Sequence, residues 1–250
     1  SQGGIGGDGP LKVIDSSLGT DEGVLNLDVA NSYQGDTTLE GKNGTGSLTV
    51  NANVTGALGR SDSDITLTDA AKLNLSNESL AEAHNFAVTN ATLAFNDNAS
   101  ADNSTIALGN GTLELNDTST GGNAIISVNA NSRMLLADNA DAGASVTTNS
   151  GTVAFADNAQ AASGRVINQT GGTVTLSDSA GNTSIGSLSG AGNVTLASAT
   201  LTEGSLSLDD TISGIISSSG GGLTKTGNGT LTLTGANSYT GATSVSQGIL

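Results

Sequence analysis

Seven short segments of alternating apolar residues recur at near-constant spacing through the middle of the 250-residue chain. They read Lys72-Leu73-Asn74-Leu75, Thr92-Leu93-Ala94-Phe95, Thr112-Leu113-Glu114-Leu115, Arg133-Met134-Leu135-Leu136, Thr152-Val153-Ala154-Phe155, Thr173-Val174-Thr175-Leu176 and Asn193-Val194-Thr195-Leu196. The first apolar residue of each falls at 73, 93, 113, 134, 153, 174 and 194, a period of about 20 residues. Period-2 alternation predicts a strand in each copy. A second alternating segment precedes the first copies by about seven residues, at Ile65/Leu67, Phe86/Val88, Ile106/Leu108 and Ile126/Val128. It weakens near Val146 and Val166 and returns at Ile185/Leu188. Each repeat therefore carries two strands.

A unit of this size cannot bury its own apolar face, but stacked copies can, because the aliphatic residue of one rung lies above that of the next. The fold class this predicts is all-β, a parallel β-helix (solenoid) of about 11 rungs. At ~4.8 Å per rung the rod is on the order of 50 Å long. Composition fits: 36 glycines, 2% aromatic residues and only 12% charged residues suit a thin interior with many corners. The same figures exclude coiled coils and helix bundles, and no apolar run approaches the ~20 residues of a membrane-spanning helix. A β-sandwich or a disordered Ser/Thr/Asn tract is the alternative, and neither predicts a twenty-residue stack.

After the main strand comes an acidic or amide turn: Asn96-Asp97-Asn98, Asn116-Asp117-Thr118, Asp138-Asn139, Asp157-Asn158 and Asp178-Ser179. Asn and Asp tolerate left-handed backbone, which suits tight corners. Stacking places Asp97, Asp117, Asp138, Asp157 and Asp178 in a column along one edge. These residues form the candidate binding surface, a polar edge for cell–cell or host contact; the plainer reading is that they simply make turns.

Net charge is −16, and the basic residues Lys12, Lys42, Arg60, Lys72, Arg133, Arg165 and Lys225 are scattered singly. No basic stripe exists to neutralise phosphates, so nucleic acid and anionic lipid are poor partners. Cysteine is absent, which suits either a thiol-avoiding cytosolic protein or a chain exported unfolded. The chain starts without Met and ends within an apolar pattern at Leu250, as expected of a fragment of something longer.

Residues 222–243 read Gly-Leu-Thr-Lys-Thr-Gly-Asn-Gly-Thr-Leu-Thr-Leu-Thr-Gly-Ala-Asn-Ser-Tyr-Thr-Gly-Ala-Thr. This segment closely resembles the passenger-associated transport repeat of bacterial autotransporters (type V secretion), and residues 185–194 resemble the segment that leads into it. A partial echo stands at Ala30-Asn31-Ser32-Tyr33-Gln34-Gly35-Asp36-Thr37, offset from 236–243 by a constant 206 positions. The resemblance implies a right-handed β-helix passenger of the adhesin-like, self-associating kind. It implies display at the surface of a Gram-negative bacterium, with an outer-membrane barrel following in the full-length protein. Residues 1–205 are read as the stem and 206–250 as rungs carrying the repeat, in one continuous solenoid. Expected partners are passengers on neighbouring cells, or host matrix protein and glycan. The alternative function is an inert stalk presenting a domain that lies elsewhere.

Catalysis is not expected. His84 is the sole histidine, and no Gly-x-Ser-x-Gly elbow surrounds any serine. Asp209-Asp210 is the only adjacent Asp pair, with no basic residue near it in sequence, and it reads as a solvated turn rather than a glycosidase pair. No metal or cofactor is expected either. The glycine run around Asp8 resembles a calcium nonapeptide, but it occurs once and Pro10 stands where an aliphatic residue belongs. Asp62, Asp64 and Asp69 lack EF-hand spacing and read as acidic surface. Asn-x-Ser/Thr sequons are numerous and follow from composition.

Overall fold

The computed structural model describes residues 4–16, 22–42, 47–177 and 181–250. Among these the structure is all-β and every strand pair is parallel. Twelve strands, from Leu11–Ile14 to Thr243–Val245, stack into one sheet. Ten more, from Gly23–Leu27 to Ile216–Ser217, stack into a second. No helix among the described residues is long and apolar enough to cross a membrane.

The predicted main strands are found at Lys72–Leu75, Thr92–Phe95, Thr112–Leu115, Arg133–Leu136, Thr152–Phe155, Thr173–Leu176 and Asn193–Thr195. Each residue pairs with its equivalent one rung on: Leu73 with Leu93, Leu93 with Leu113, Leu113 with Met134, and so to Val194. The alternation turns Leu73/Leu75, Leu93/Phe95, Leu113/Leu115 and Met134/Leu136 inward, all at most 1% exposed. The twelve-stranded sheet faces them with Ile65/Leu67, Phe86/Val88, Ile106/Leu108 and Ile126/Val128. Like stacks on like, so few large side chains suffice to fill a narrow interior. Pairing runs on across residue 205, where Thr200–Glu203 joins Leu223–Lys225.

A third column carries single parallel bridges, Leu80–Ser100–Thr120–Asp141–Gln160. One residue per rung gives no alternation to read. Its signature is a central residue flanked by small ones, as in Ala99-Ser100-Ala101 and Ala140-Asp141-Ala142, where the flanking alanines are buried. Each coil is thus three-sided.

Where the second alternating segment weakens, the apolar Val146 does not point inward. Val146–Asn149 turns Thr147 and Asn149 inward and leaves Val146 37% exposed. Register decides this, because Ile126 pairs with Thr147 and Val128 with Asn149. The interior tolerates the amide because it is satisfied. Asn149 Nδ2 donates to Asn168 Oδ1 (2.8 Å) and to the Thr173 carbonyl (3.1 Å), while Asn149 Oδ1 accepts from the Gly151 N–H (3.0 Å). Asn168 Nδ2 donates in turn to the Asn193 carbonyl at 2.9 Å. Buried polar groups are stable only when paired in this way.

Candidate functional site

The aspartate turns line up along the edge between the ten-stranded sheet and the bridge column. Asp97, Asp117, Asp138 and Asp157 share left-handed backbone, with φ between 53° and 56°, and Asn77 continues the column at 61°. Asp and Asn are the non-glycine residues that visit this region at least cost. Asp178 lies outside the described residues.

Each of these carboxylates also holds the rung before it. The Asn77 N–H donates to Asp97 Oδ2 and the Asp97 N–H to Asp117 Oδ2, both at 3.0 Å. The Asp117 N–H donates to Asp138 Oδ2 at 3.2 Å, and the Asp138 N–H to Asp157 Oδ2 at 3.4 Å. Flanking amides repeat the pattern, Asn116 Nδ2 giving to Asn96 Oδ1 at 3.1 Å and Asn158 Nδ2 to Asn139 Oδ1 at 3.3 Å. Carboxylates one rung apart repel by roughly 1 kcal/mol in water. A hydrogen bond to a charged acceptor contributes about 1.5–3 kcal/mol. The ladder therefore wins over the repulsion it creates, leaving Asp97, Asp117 and Asp138 exposed. An open groove of about 650 Å³ flanks the start of the column, lined by Asn53, Thr55, Asn77, Glu78, Asp97 and Asn98 among others.

The remaining candidates resolve differently. His84 is 1% exposed and sits in an interior column with Ser63 and Ser104. Its Nδ1 lies 3.2 Å from both Ser63 Oγ and the Ser63 carbonyl, and its ring meets Phe86 edge-on at 6.0 Å. Burial pushes its pKa down, against the opposing effects of Ser63 and the Asp62 charge. Asp62 is paired to Arg60, and Asp64 Oδ1 accepts from Asn85 Nδ2 at 3.0 Å. No group of three or more metal-ligating side chains occurs among the described residues. Gly6–Gly7, in the N-terminal glycine run, is a strand paired to Ser32–Tyr33; Gly3 lies outside the described residues.

Asp209 and Asp210 part company. Asp209 is exposed and its Oδ1 accepts from the Thr230 N–H at 2.7 Å. Asp210 is not a solvated turn residue: it is 4% exposed, accepts from Ser187 Oγ at 2.8 Å, and meets the buried Glu203. Asp210 opens the strand Asp210–Ile212, whose alternation turns Asp210 and Ile212 inward and Thr211 outward.

The two ends of the rod share a local device. Tyr33 Oη lies 2.7 Å from Thr37 Oγ1, and Tyr239 Oη lies 2.7 Å from Thr243 Oγ1. In both, the intervening glycine runs so close to the rung before it that a Cβ would stand 2.5 Å from Pro10 N at Gly35, or 2.4 Å from the Gly221 carbonyl at Gly241. The passenger-associated-transport-repeat family model matches residues 20–41 and 223–250, around these two sites. Repeat and solenoid together indicate an autotransporter passenger. The repeat implies an extracellular location, cell-surface or secreted. No curated protein and no solved structure matches the passenger.

Proposed function

We propose that this passenger is a non-enzymatic adhesin, displayed at the surface of a Gram-negative bacterium, that promotes cell aggregation, biofilm formation and attachment to host matrix or glycans. The observation that carries the reading is the exposed aspartate ladder, with its flanking Asn and Thr residues, repeated rung after rung on one edge. Each contact such an edge makes is weak. Two rods side by side, or many rods on two cells, multiply it through effective concentration. The sole histidine of the sequence lies inside the solenoid, which favours a structural reading over hydrolysis. In the full-length protein, the passenger's own outer-membrane barrel would follow this segment.

The test is display of the segment on a non-aggregating bacterium, with settling and binding to immobilised matrix proteins and glycosaminoglycans measured at several salt concentrations. Settling or binding above the undecorated cells is expected. Because rods of net charge −16 repel one another, self-association should strengthen as salt rises toward about 0.1 M, where the Debye length falls to ~10 Å. No settling and no binding under any condition would contradict the adhesin and leave a stalk.

A further inference from the structure

Residues 181–250 contain only four charged side chains, Glu203, Asp209, Asp210 and Lys225. Asp209 faces solvent, while the other three turn into the solenoid at 0%, 4% and 0% exposure. Glu203 and Lys225 are register partners on adjacent strands, Thr200–Glu203 and Leu223–Lys225. Lys225 Nζ gives its hydrogen bonds to the carbonyls of Thr226 and Gly227, the latter at 3.0 Å. On the acid side, Asp210 Oδ1 accepts from Ser187 Oγ at 2.8 Å, and Glu203 Oε1 accepts from the Leu188 N–H at 3.5 Å. Their second oxygens, Glu203 Oε2 and Asp210 Oδ2, are buried without a partner, although the two carboxyls are within hydrogen-bonding contact of each other.

Two ionised carboxylates in this setting would repel at low dielectric and strand two acceptors. One proton between them turns an acceptor into a donor and leaves a single negative charge opposite the Lys225 ammonium, so the buried cluster is neutral overall. A divalent cation is the other way to satisfy two carboxylates, and the neighbouring ammonium opposes it.

We propose that Glu203 and Asp210 form a one-proton binding site, filled as the C-terminal rungs fold. Burial pushes Glu203 upward, and the hydrogen bond and charge of Asp210 push the same way. These outweigh the Leu188 N–H and Lys225, and carry Glu203 from its ordinary 4.5 to about 8. The other ionisable side chains of residues 181–250, Asp209 and Tyr239, are exposed and partly exposed. Since the folded state holds the proton more tightly than the unfolded chain, the stabilisation is complete below about pH 4.5 and is lost as pH rises through about 8. Lys225 belongs to the segment matched by the transport repeat, whereas Glu203 and Asp210 lie outside it. The site thus joins a lysine of the matched repeat to two acids from the rung before it.

The experiment uses the whole 250-residue chain and its Glu203→Gln variant, a neutral side chain that still donates to Asp210. At pH 7 the infrared spectrum of the folded wild-type protein should show one protonated carboxyl, absent from the variant. The urea midpoint should fall between about pH 7 and 9 in the wild type and stay flat in Glu203→Gln. No protonated carboxyl at pH 7, equal pH dependence in both proteins, or stability that depends on a divalent cation would overturn the proposal. If Glu203→Gln does not fold, the infrared result on the wild-type protein decides alone.

Discussion

The main-chain N–H of Asp97 donates to the carboxylate of Asp117, one rung further along, at 3.0 Å. Both residues are left-handed, at φ 53° and 56°. One aspartate thus serves as a corner for its own rung and as an acceptor for its neighbour, while its charge remains in water. Shape and charge can be separated at these positions, because asparagine keeps the corner and loses only the charge.

Asp117→Asn should therefore leave stability within about 0.5 kcal/mol of wild type, since the weaker hydrogen bond is offset by relief of two repulsions. Asp117→Val should cost about 2–3 kcal/mol, combining left-handed strain in a β-branched residue with the lost acceptor. Urea unfolding of the two variants measures the contrast; equal destabilisation would argue against the ladder.

His84 sets an acid limit. Burial depresses its pKa, so its contribution is present above the unfolded value near 6.5 and is lost as pH falls below it. Between about pH 7 and 5 this loss opposes the gain from Glu203, so it is read by difference: wild-type stability should fall relative to His84→Asn as pH drops, while the substitution gives up some packing against Phe86. The expected signature is a change in pH slope, read by thermal unfolding across that range.

Gly227 lies in the matched C-terminal repeat with φ +67°, and a Cβ there would stand 1.9 Å from the Gly204 carbonyl. Gly227→Ala combines left-handed strain with overpacking against main chain and should cost about 3 kcal/mol. Limited proteolysis should then cut the last rungs first, with the central ones still protected.

Deleting residues 220–250 removes the strand partners of Thr200–Glu203 and Asp210–Ile212 and uncovers a buried acid pair. In a solenoid each rung templates the next, so refolding of the remaining chain should slow markedly by circular dichroism. Unchanged refolding would remove any nucleating role for the repeat.

Much of this architecture is legible in the sequence because stacking forces the period onto it. Leu73, Leu93 and Leu113 stand about twenty residues apart for the same reason that they pair in the structure. The aspartate column is legible too, since left-handed corners select Asp and Asn. Single-residue bridges such as Ser100–Thr120 are not, because one residue per rung leaves no alternation. Val146 misleads because the register of its neighbours, rather than its own apolarity, decides which way it points. Asp210 is hidden for a different reason: its partners Ser187 and Glu203 reach it from other strands, and no local pattern announces that a charged residue is buried.

The most direct test of the adhesive edge is settling of cells that display the wild-type passenger beside cells that display Asp97, Asp117, Asp138 and Asp157 all changed to Asn, with equal surface amounts and equal folding confirmed. The wild-type cells should settle or bind matrix and glycan, and the fourfold variant should do so with altered strength and a weaker salt dependence. Identical settling, binding and salt dependence in the two would contradict a contact role for the aspartate ladder and reduce it to corners.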